Sequence, residues 1–115
     1  VRPETVINKY FDPNWRPYLQ TPAFPEYTCG HSTISSAAAE ALTSVFGDNF
    51  AYTDSTELEF GIKNRSFTSF RDAALENNWA RFYGGLHFHN SCIISTDIGA
   101  KVGQLVASRL KMKKK

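Results

Sequence analysis

Apolar residues recur at helical spacing in three stretches of the chain, and these predict three helices. The first runs over 32–46 and stops at Gly47, and the second runs over 67–82 and stops at Gly84-Gly85. The third starts between 91 and 95 and continues toward the basic end of the chain. The apolar positions of the three helices are Ile34, Ala38, Ala41, Leu42 and Val45; Phe67, Phe70, Ala74 and Leu75; and Ile94, Ile98, Val102, Leu105 and Val106.

The rest of the chain is less regular. Residues 1–10 fit the end or middle of a helix, with Pro3 suited to its first turn. Residues 11–30 hold four of the five prolines and predict an irregular segment, and 48–65 predict a loop with room for a short hairpin. Ser69 and Asp72 match a capping box weakly. The expected fold is therefore all-α, with three to four main helices.

Length and composition indicate a single globular domain over 1–115. No run of apolar residues is long enough for a transmembrane helix, and no signal peptide is visible. The first residue is Val1, so we expect a piece of a longer chain, the C-terminal part of a larger helical domain.

The net charge of +2 conceals a basic tail at 111–115. The first hundred residues carry 7 basic and 11 acidic side chains, and no basic residues interleave with aromatics across a face. Cations favour a helix C-terminus, so the tail predicts a solvated helix end rather than a nucleic-acid surface.

Three histidines and two cysteines lie at predicted helix starts, and they allow two kinds of chemistry. Zinc needs three or four ligands of this kind, although the usual ligand spacings are missing. A cysteine nucleophile with a histidine base is the second option, because a helix N-terminus lowers a thiol pKa. The residues concerned are Cys29, His31, His87, His89 and Cys92.

An oxyanion site is the third option. Gly30 and His31 lie where a helix presents free N–H groups and the positive end of its dipole. Arg81 and His87 are six residues apart across a diglycine, so both can face one pocket. Arginine donates two parallel hydrogen bonds to such anions.

These residues carry a resemblance. The stretches TPAFPEYTCGHSTISSAAAEALTSVFGD and ALENNWARFYGGLHF resemble bacterial vanadium-dependent haloperoxidase-related proteins. That family lies in the superfamily of type-two phosphatidic acid phosphatases and class A bacterial acid phosphatases. Its motif is Lys-x6-Arg-Pro, then Pro-Ser-Gly-His, then Ser-Arg-x5-His-x3-Asp. Here Arg2-Pro3, 28–31 and 80–87 stand at the three parts, and the motif lysine would precede Val1.

The chain departs from the motif at four further positions. The family's proline, two serines and final aspartate are replaced by Thr28, Cys29, Ala80 and Ser91. The aspartate would orient the imidazole of His87, and Asn90 or Ser91 is expected to substitute as its hydrogen-bond acceptor. A thiol is oxidisable and a poorer donor than a hydroxyl, which favours a phosphatase-like or degenerate member over an efficient haloperoxidase.

The resemblance implies a helical bundle and an oxyanion site. His87 would bind phosphorus or, if vanadate is the cofactor, vanadium, and His31 would act as general acid–base. The groups expected to neutralise the oxyanion are Arg2, Gly30, Arg81 and Cys29. The reaction would be phosphoester hydrolysis through a phosphohistidine, or halide oxidation with vanadate and peroxide.

Two other classes of function remain open: a non-catalytic oxyanion-binding relative, and a small zinc-binding protein. The expected partners are a small phosphate ester, or peroxide and a halide. Exposed apolar helix faces are a liability, so we also expect packing against an N-terminal portion or another protomer. The resemblance suggests an extracytoplasmic bacterial protein.

Overall fold

The computed structural model describes residues 1–110 and shows four α-helices and one short β-hairpin in that range. The helices are α1 (Pro3–Tyr10), α2 (Gly30–Phe46), α3 (Phe70–Tyr83) and α4 (His89–Arg109). Strands β1 (Tyr52–Asp54) and β2 (Arg65–Phe67) pair antiparallel, with Tyr52 opposite Phe67. The predicted all-α helical-bundle class is confirmed. The predicted basic tail at 111–115 lies outside the described residues.

The helix boundaries differ from the predicted ones for local reasons. Helix α3 begins at Phe70 rather than at 67, because Phe67 pairs within the hairpin and the Ser69 side chain accepts a hydrogen bond from the Asp72 N–H at 3.0 Å. Helix α2 begins two residues earlier than predicted, at Gly30, and α4 begins at His89. None of the helices in residues 1–110 is long and apolar enough to cross a membrane.

Helices α2 and α4 pack through small and polar residues rather than through their apolar faces. The Gly99 Cα faces the Thr33 carbonyl, Gly103 faces the Ala37 carbonyl, and the Ser36 hydroxyl donates to the Thr96 carbonyl at 2.8 Å. The buried side of the pair consists of Ser32, Ser36, Ala39, Glu40, Thr43, Ser91, Cys92, Ser95, Gly99 and Gly103. Because Gly99 and Gly103 have no side chain, α2 and α4 can approach each other closely.

Most of the apolar positions that the sequence pattern marks lie on the outer side of this pair. Ile34 on α2 is 72% exposed and Val102 on α4 is 48% exposed, and Leu75 on α3 is exposed as well. The described chain thus carries apolar helix faces that it does not itself cover.

A charged network joins α2, α3 and the loop after α2. The Arg71 guanidinium donates to both carboxylate oxygens of Glu40, at 2.5 and 2.9 Å, and to Asp48 at 2.6 Å. Gln104 of α4 donates to Glu40 at 3.2 Å. The hydrogen bonds from Arg71 hold the pKa of Glu40 below its usual value. Arg71 of α3 and Gln104 of α4 thereby both bind the Glu40 carboxylate of α2.

Gly99→Ala is expected to destabilise the chain by about 1–3 kcal/mol. An added Cβ would collide with the backbone carbonyl of Thr33, which cannot rotate away, so α2 and α4 would have to separate. This loss outweighs the gain of roughly 1 kcal/mol in helix propensity. Thermal denaturation followed by circular dichroism checks it, with Val102→Ala on the exposed side as the control. A melting temperature equal to that of the unchanged protein would contradict the close helix contact.

Candidate functional site

Three distant parts of the sequence meet at one end of the helical layer. Arg2 lies at the start of α1, 28–31 at the start of α2, and 81–87 between the end of α3 and the start of α4. Arg2 Nη1 is 3.0 Å from His87 Nε2, although the two residues are 85 positions apart. The fold therefore places the predicted oxyanion residues Arg2 and His87 in direct contact.

The His87 imidazole is buried, with 2% of the residue exposed, and both ring nitrogens have partners. Nδ1 lies 3.1 Å from Glu26 Oε1, and Nε2 lies 3.0 Å from Arg2 Nη1. A carboxylate only accepts and a guanidinium only donates, so Nδ1 carries the proton and Nε2 carries the lone pair. This is the tautomer in which Nε2 can act as a ligand.

Glu26 is the residue that the sequence analysis missed. It is 5% exposed and accepts three hydrogen bonds, from His87 Nδ1, from the Phe88 N–H at 3.1 Å and from the Ser91 hydroxyl at 2.9 Å. The expectation that Asn90 or Ser91 would accept from the imidazole is wrong, because Ser91 is itself a donor to Glu26.

A signal for Glu26 was present in the sequence. It is the only acidic residue between Asp12 and Glu40, and it precedes the motif at 28–31 in a chain whose motif aspartate is replaced by Ser91. An isolated carboxylate in one segment and a lost carboxylate in another, at the same motif, suggest that one has taken over from the other.

All three guanidinium nitrogens of Arg2 have hydrogen-bond partners. Nε and Nη2 donate to the Phe24 carbonyl at 3.1 and 2.9 Å, Nη2 also reaches Pro25 O at 3.3 Å, and Nη1 donates to Leu86 O at 2.9 Å. Burial lowers the pKa of Arg2, and the nearby Glu26 carboxylate opposes that shift. The N–H directed at His87 Nε2 is the one that an anion bound there would take over.

The N-terminus of α2 supplies the second side of the site. Its first backbone N–H groups have no partner within the helix, and the space beside the Gly30 Cα is open, with no atom within 4 Å of an added Cβ. His31 is exposed in the first turn. Partial burial, and then the positive charge of Arg81, lower the pKa of His31 below its usual 6.5. His31 is therefore neutral at neutral pH and can accept a proton.

Arg81 supplies the third side, from the last turn of α3. Its Nε is buried and has no hydrogen-bond partner among the described residues. Buried polar groups are nearly always paired, so an unpaired N–H near the charged Arg2 guanidinium suits an anion. The Nε2 lone pair of His87, the Arg81 Nε and the open N-terminus of α2 together fit an oxyanion such as vanadate or phosphate.

A family model described as the VCPO second helical-bundle domain matches residues 3–114. The chain belongs to this family. Comparison with curated proteins finds no match. Among solved structures, one described as the first bacterial vanadium-dependent iodoperoxidase is similar, with 48% identity and a TM-score of 0.93. The similarity covers 99% of this chain and 28% of that one, so the chain spans about a quarter of the length of its structural relative.

In this VCPO-type domain the predicted oxyanion ligand Cys29 is turned inward. Its side chain is fully buried at the N-cap of α2, where Sγ accepts a hydrogen bond from the Ser32 hydroxyl at 3.0 Å. The Cys29 N–H donates to the Ser95 hydroxyl at 2.9 Å. The thiol therefore lies in the contact between α2 and α4.

The five residues considered for zinc do not assemble in the VCPO-type domain. His89 is exposed and stacks on Trp79, with ring centroids 5.0 Å apart, whereas His87 Nδ1 is taken by Glu26. Across residues 1–110, no group of three or more His, Cys, Asp or Glu side chains is placed to hold a metal ion.

Proposed function

We propose that the chain provides the histidine-bearing part of a vanadate-dependent haloperoxidase site whose halide is iodide. The observation that carries the proposal is the His87 imidazole, fixed by Glu26 with its Nε2 lone pair toward the oxyanion residues. Membership of the VCPO family and the likeness to a bacterial vanadium-dependent iodoperoxidase support the choice of vanadate and iodide.

Each residue has a distinct task in this proposal. His87 holds the anion through Nε2, and the hydrogen bond to Glu26 keeps its proton on Nδ1. Arg81 and the N-terminus of α2 neutralise the negative oxygens in a site where their donors are already oriented. His31, neutral and close to Arg81, accepts and returns a proton at the anion. When bound, vanadate supplies the Lewis-acid chemistry through which hydrogen peroxide oxidises a halide.

The buried position of Cys29 removes the main argument for a phosphatase-like or degenerate protein. That argument treated the thiol as a donor to the bound anion, exposed to peroxide. Its side chain is 0% exposed and pairs with Ser32 instead. Phosphate and vanadate share the same donor needs, so phosphate is treated as a competitor and phosphatase activity as an outcome of the test.

Further helices are expected to cover the outer faces of α2 and α4. Ile34, Ile93 and Leu105 are more than half exposed on these faces, and uncovered apolar patches of this kind mark binding surfaces. The structural relative is more than three times as long as this chain. We propose that the remainder of the same protein packs here and brings the motif lysine to the site.

The test uses the full-length protein with iodide and hydrogen peroxide, with and without orthovanadate. Iodide oxidation that requires vanadate and is suppressed by phosphate is the expected result. Hydrolysis of p-nitrophenyl phosphate, inhibited by vanadate and without iodide oxidation, would replace the proposal with a phosphatase. Tight vanadate binding without either activity would leave a non-catalytic oxyanion-binding protein and would equally contradict it.

A further inference from the structure

Two adjacent asparagines on α3 connect that helix to both of its neighbours. The Asn77 side-chain amide donates to the Ser35 hydroxyl of α2 at 2.8 Å and to the His31 carbonyl at 3.4 Å. The Asn78 amide donates to the Thr96 hydroxyl of α4. Neither asparagine has a task in the proposed mechanism. Helix α3 is therefore tied to α2 and to α4 through two consecutive residues that the site chemistry does not use.

A third hydrogen bond joins α2 and α4 at the same level. The Ser36 hydroxyl donates to the Thr96 carbonyl at 2.8 Å, and the hydroxyl of the same threonine accepts from Asn78. Two consecutive serines of α2 thus meet two consecutive asparagines of α3, with one threonine of α4 between them. The three helices share this polar layer, which consists of Ser35, Ser36, Asn77, Asn78 and Thr96.

The polar layer lies one helical turn from the oxyanion residues. Ser35 follows His31 by four positions on α2, and Asn77 precedes Arg81 by four positions on α3. Residues four apart lie on the same face of an α-helix, about 6 Å apart along its axis. The hydrogen bond between Asn77 and Ser35 therefore joins the two helices directly behind the turns that carry His31 and Arg81.

The end of α3 that carries Arg81 has little apolar packing to hold it. Ala74 and Asn78 are the buried residues of α3, whereas Trp79 and Tyr83 in its last turns are exposed. The Arg81 Nε has no hydrogen-bond partner among the described residues, so this nitrogen does not hold its own side chain in place. The position of Arg81 therefore depends on the hydrogen bonds that place the helix.

Stability alone does not account for an asparagine at position 78. Asn78 is 7% exposed, and its Oδ1 accepts no hydrogen bond within residues 1–110. A buried acceptor without a partner destabilises a fold, and an apolar side chain of the same shape avoids that loss. What the asparagine adds is a directional bond between α3 and α4.

We propose that Asn77 and Asn78 are positioning residues, which set where α3 holds the Arg81 guanidinium beside the bound anion. Neither asparagine touches the anion in this proposal. Each acts through Arg81, because a small displacement of an oriented charged donor weakens its interaction with the group it neutralises. The inference rests on the proposed function, in which Arg81 neutralises the oxyanion.

The first experiment measures orthovanadate binding to the full-length protein by equilibrium dialysis. Asn77→Ala is expected to raise the vanadate dissociation constant by about 10-fold, within the range for groups that orient a ligand from behind. Asn64→Ala is the matched control, since Asn64 is an exposed asparagine before β2, and it should leave the constant unchanged. Equal affinity in Asn77→Ala and the unchanged protein would overturn the positioning role alone. Absence of vanadate binding even in the unchanged protein would overturn the proposed function and this role with it.

A second background tests whether the effect passes through Arg81. Lysine keeps the positive charge but carries it on a flexible stem without a fixed fork of donors, so its ammonium group can adapt to a displaced helix. In Arg81→Lys, the addition of Asn77→Ala is therefore expected to raise the vanadate dissociation constant by less than about threefold. A further loss of about 10-fold, as in the unchanged background, would show that Asn77 does not act through Arg81.

Asn78 is tested by a double replacement that keeps the shapes of both side chains. Asn78→Leu with Thr96→Val removes the hydrogen bond from both sides and leaves neither partner as an unpaired buried group. We expect a melting temperature no lower than that of the unchanged protein, together with vanadate binding weakened by about 10-fold. Nitrogen-15 NMR should still show the proton of His87 on Nδ1, because Glu26 is untouched. Undiminished vanadate affinity, or an affinity that falls together with the melting temperature, would contradict the positioning role of Asn78.

Discussion

His87→Ala is expected to abolish stoichiometric vanadate binding and to lower vanadate-dependent iodide oxidation by about 10³-fold or more, the upper range for losing an oriented polar group at a reacting centre. The buried His87 imidazole offers the anion a lone pair at Nε2, next to Arg2, whereas Arg2, Arg81 and the N-terminus of α2 all donate. Its loss leaves charge neutralisation in place without a ligand. Equilibrium dialysis against orthovanadate and an iodide oxidation assay measure the two effects.

Two companion variants separate ligand loss from structural damage. His87→Asn keeps an amide N–H near the position of Nδ1, so the hydrogen bond to Glu26 can form while the Nε2 ligand is lost; it should be as inactive as His87→Ala. His89→Ala removes a histidine only two positions away that stacks on Trp79, and it should retain vanadate binding. Activity in His87→Asn comparable to that of the unchanged protein would mean that His87 does not hold the anion.

Glu26→Gln is expected to weaken vanadate binding by about 10- to 100-fold, the usual cost of losing a carboxylate behind a ligating histidine. Glutamine is nearly the same size and its amide oxygen can still accept a hydrogen bond. Because it carries no negative charge, it would not increase the basicity of the His87 Nε2 lone pair. Glu26 now accepts hydrogen bonds from several donors, which include the Ser91 hydroxyl at 2.9 Å. In the variant, the amide N–H₂ would point toward some of these donors, and two donors facing each other cannot form a hydrogen bond. The vanadate dissociation constant is the direct measure.

A second substitution makes this prediction specific to the carboxylate. Ser91 already touches Glu26 Oε2 and stands at the position of the family's motif aspartate. Ser91→Asp in the Glu26→Gln background should therefore restore most of the vanadate affinity. In the unchanged background, Ser91→Asp sets two carboxylates against each other and should weaken binding. Wild-type affinity in Glu26→Gln would show that the carboxylate is not what positions His87.

In the vanadate-free protein, the tautomer of His87 shows whether Glu26 positions the imidazole proton. Nitrogen-15 NMR of labelled histidine is expected to show a proton on Nδ1 in the unchanged protein, because Glu26 accepts there and Arg2 donates to Nε2. Glu26→Gln should mix the two tautomers, and adding Ser91→Asp should restore the first. A purely structural role for Glu26 would shift the melting temperature without this effect.

The sequence was informative about where helices exist and less so about which sides of them are buried. Helical periodicity identified α2, α3 and α4 because apolar spacing is a local property. The α2–α4 contact depends on Gly99, Gly103 and Ser36, which allow close approach but leave no apolar signal. The marked apolar positions, such as Ile34, face outward instead, where further helices of a longer protein are expected to bind.

In the candidate site, too, some residues could be predicted from the sequence and one became visible only in the fold. Motif spacing indicated Arg2, His31, Arg81 and His87, because each stands in a short recognisable string. Glu26 lies 61 positions from His87, and only the fold brings its carboxylate to the imidazole. Among the four residues after His87, where the motif places the carboxylate, the structure has Ser91, which donates to Glu26. The acceptor of the His87 Nδ1 proton is Glu26 itself. Compensation between distant positions is visible in the structure and hidden in the motif.

The most direct test of the central claim is a crystal structure of the full-length protein grown with orthovanadate, with the metal located by its anomalous scattering. We expect vanadium at His87 Nε2, Nδ1 still bonded to Glu26, and the Arg2 N–H that now faces Nε2 turned to an oxygen of the anion. Vanadium bound elsewhere, or an Arg2–His87 contact that persists in a vanadate-saturated crystal, would contradict the account.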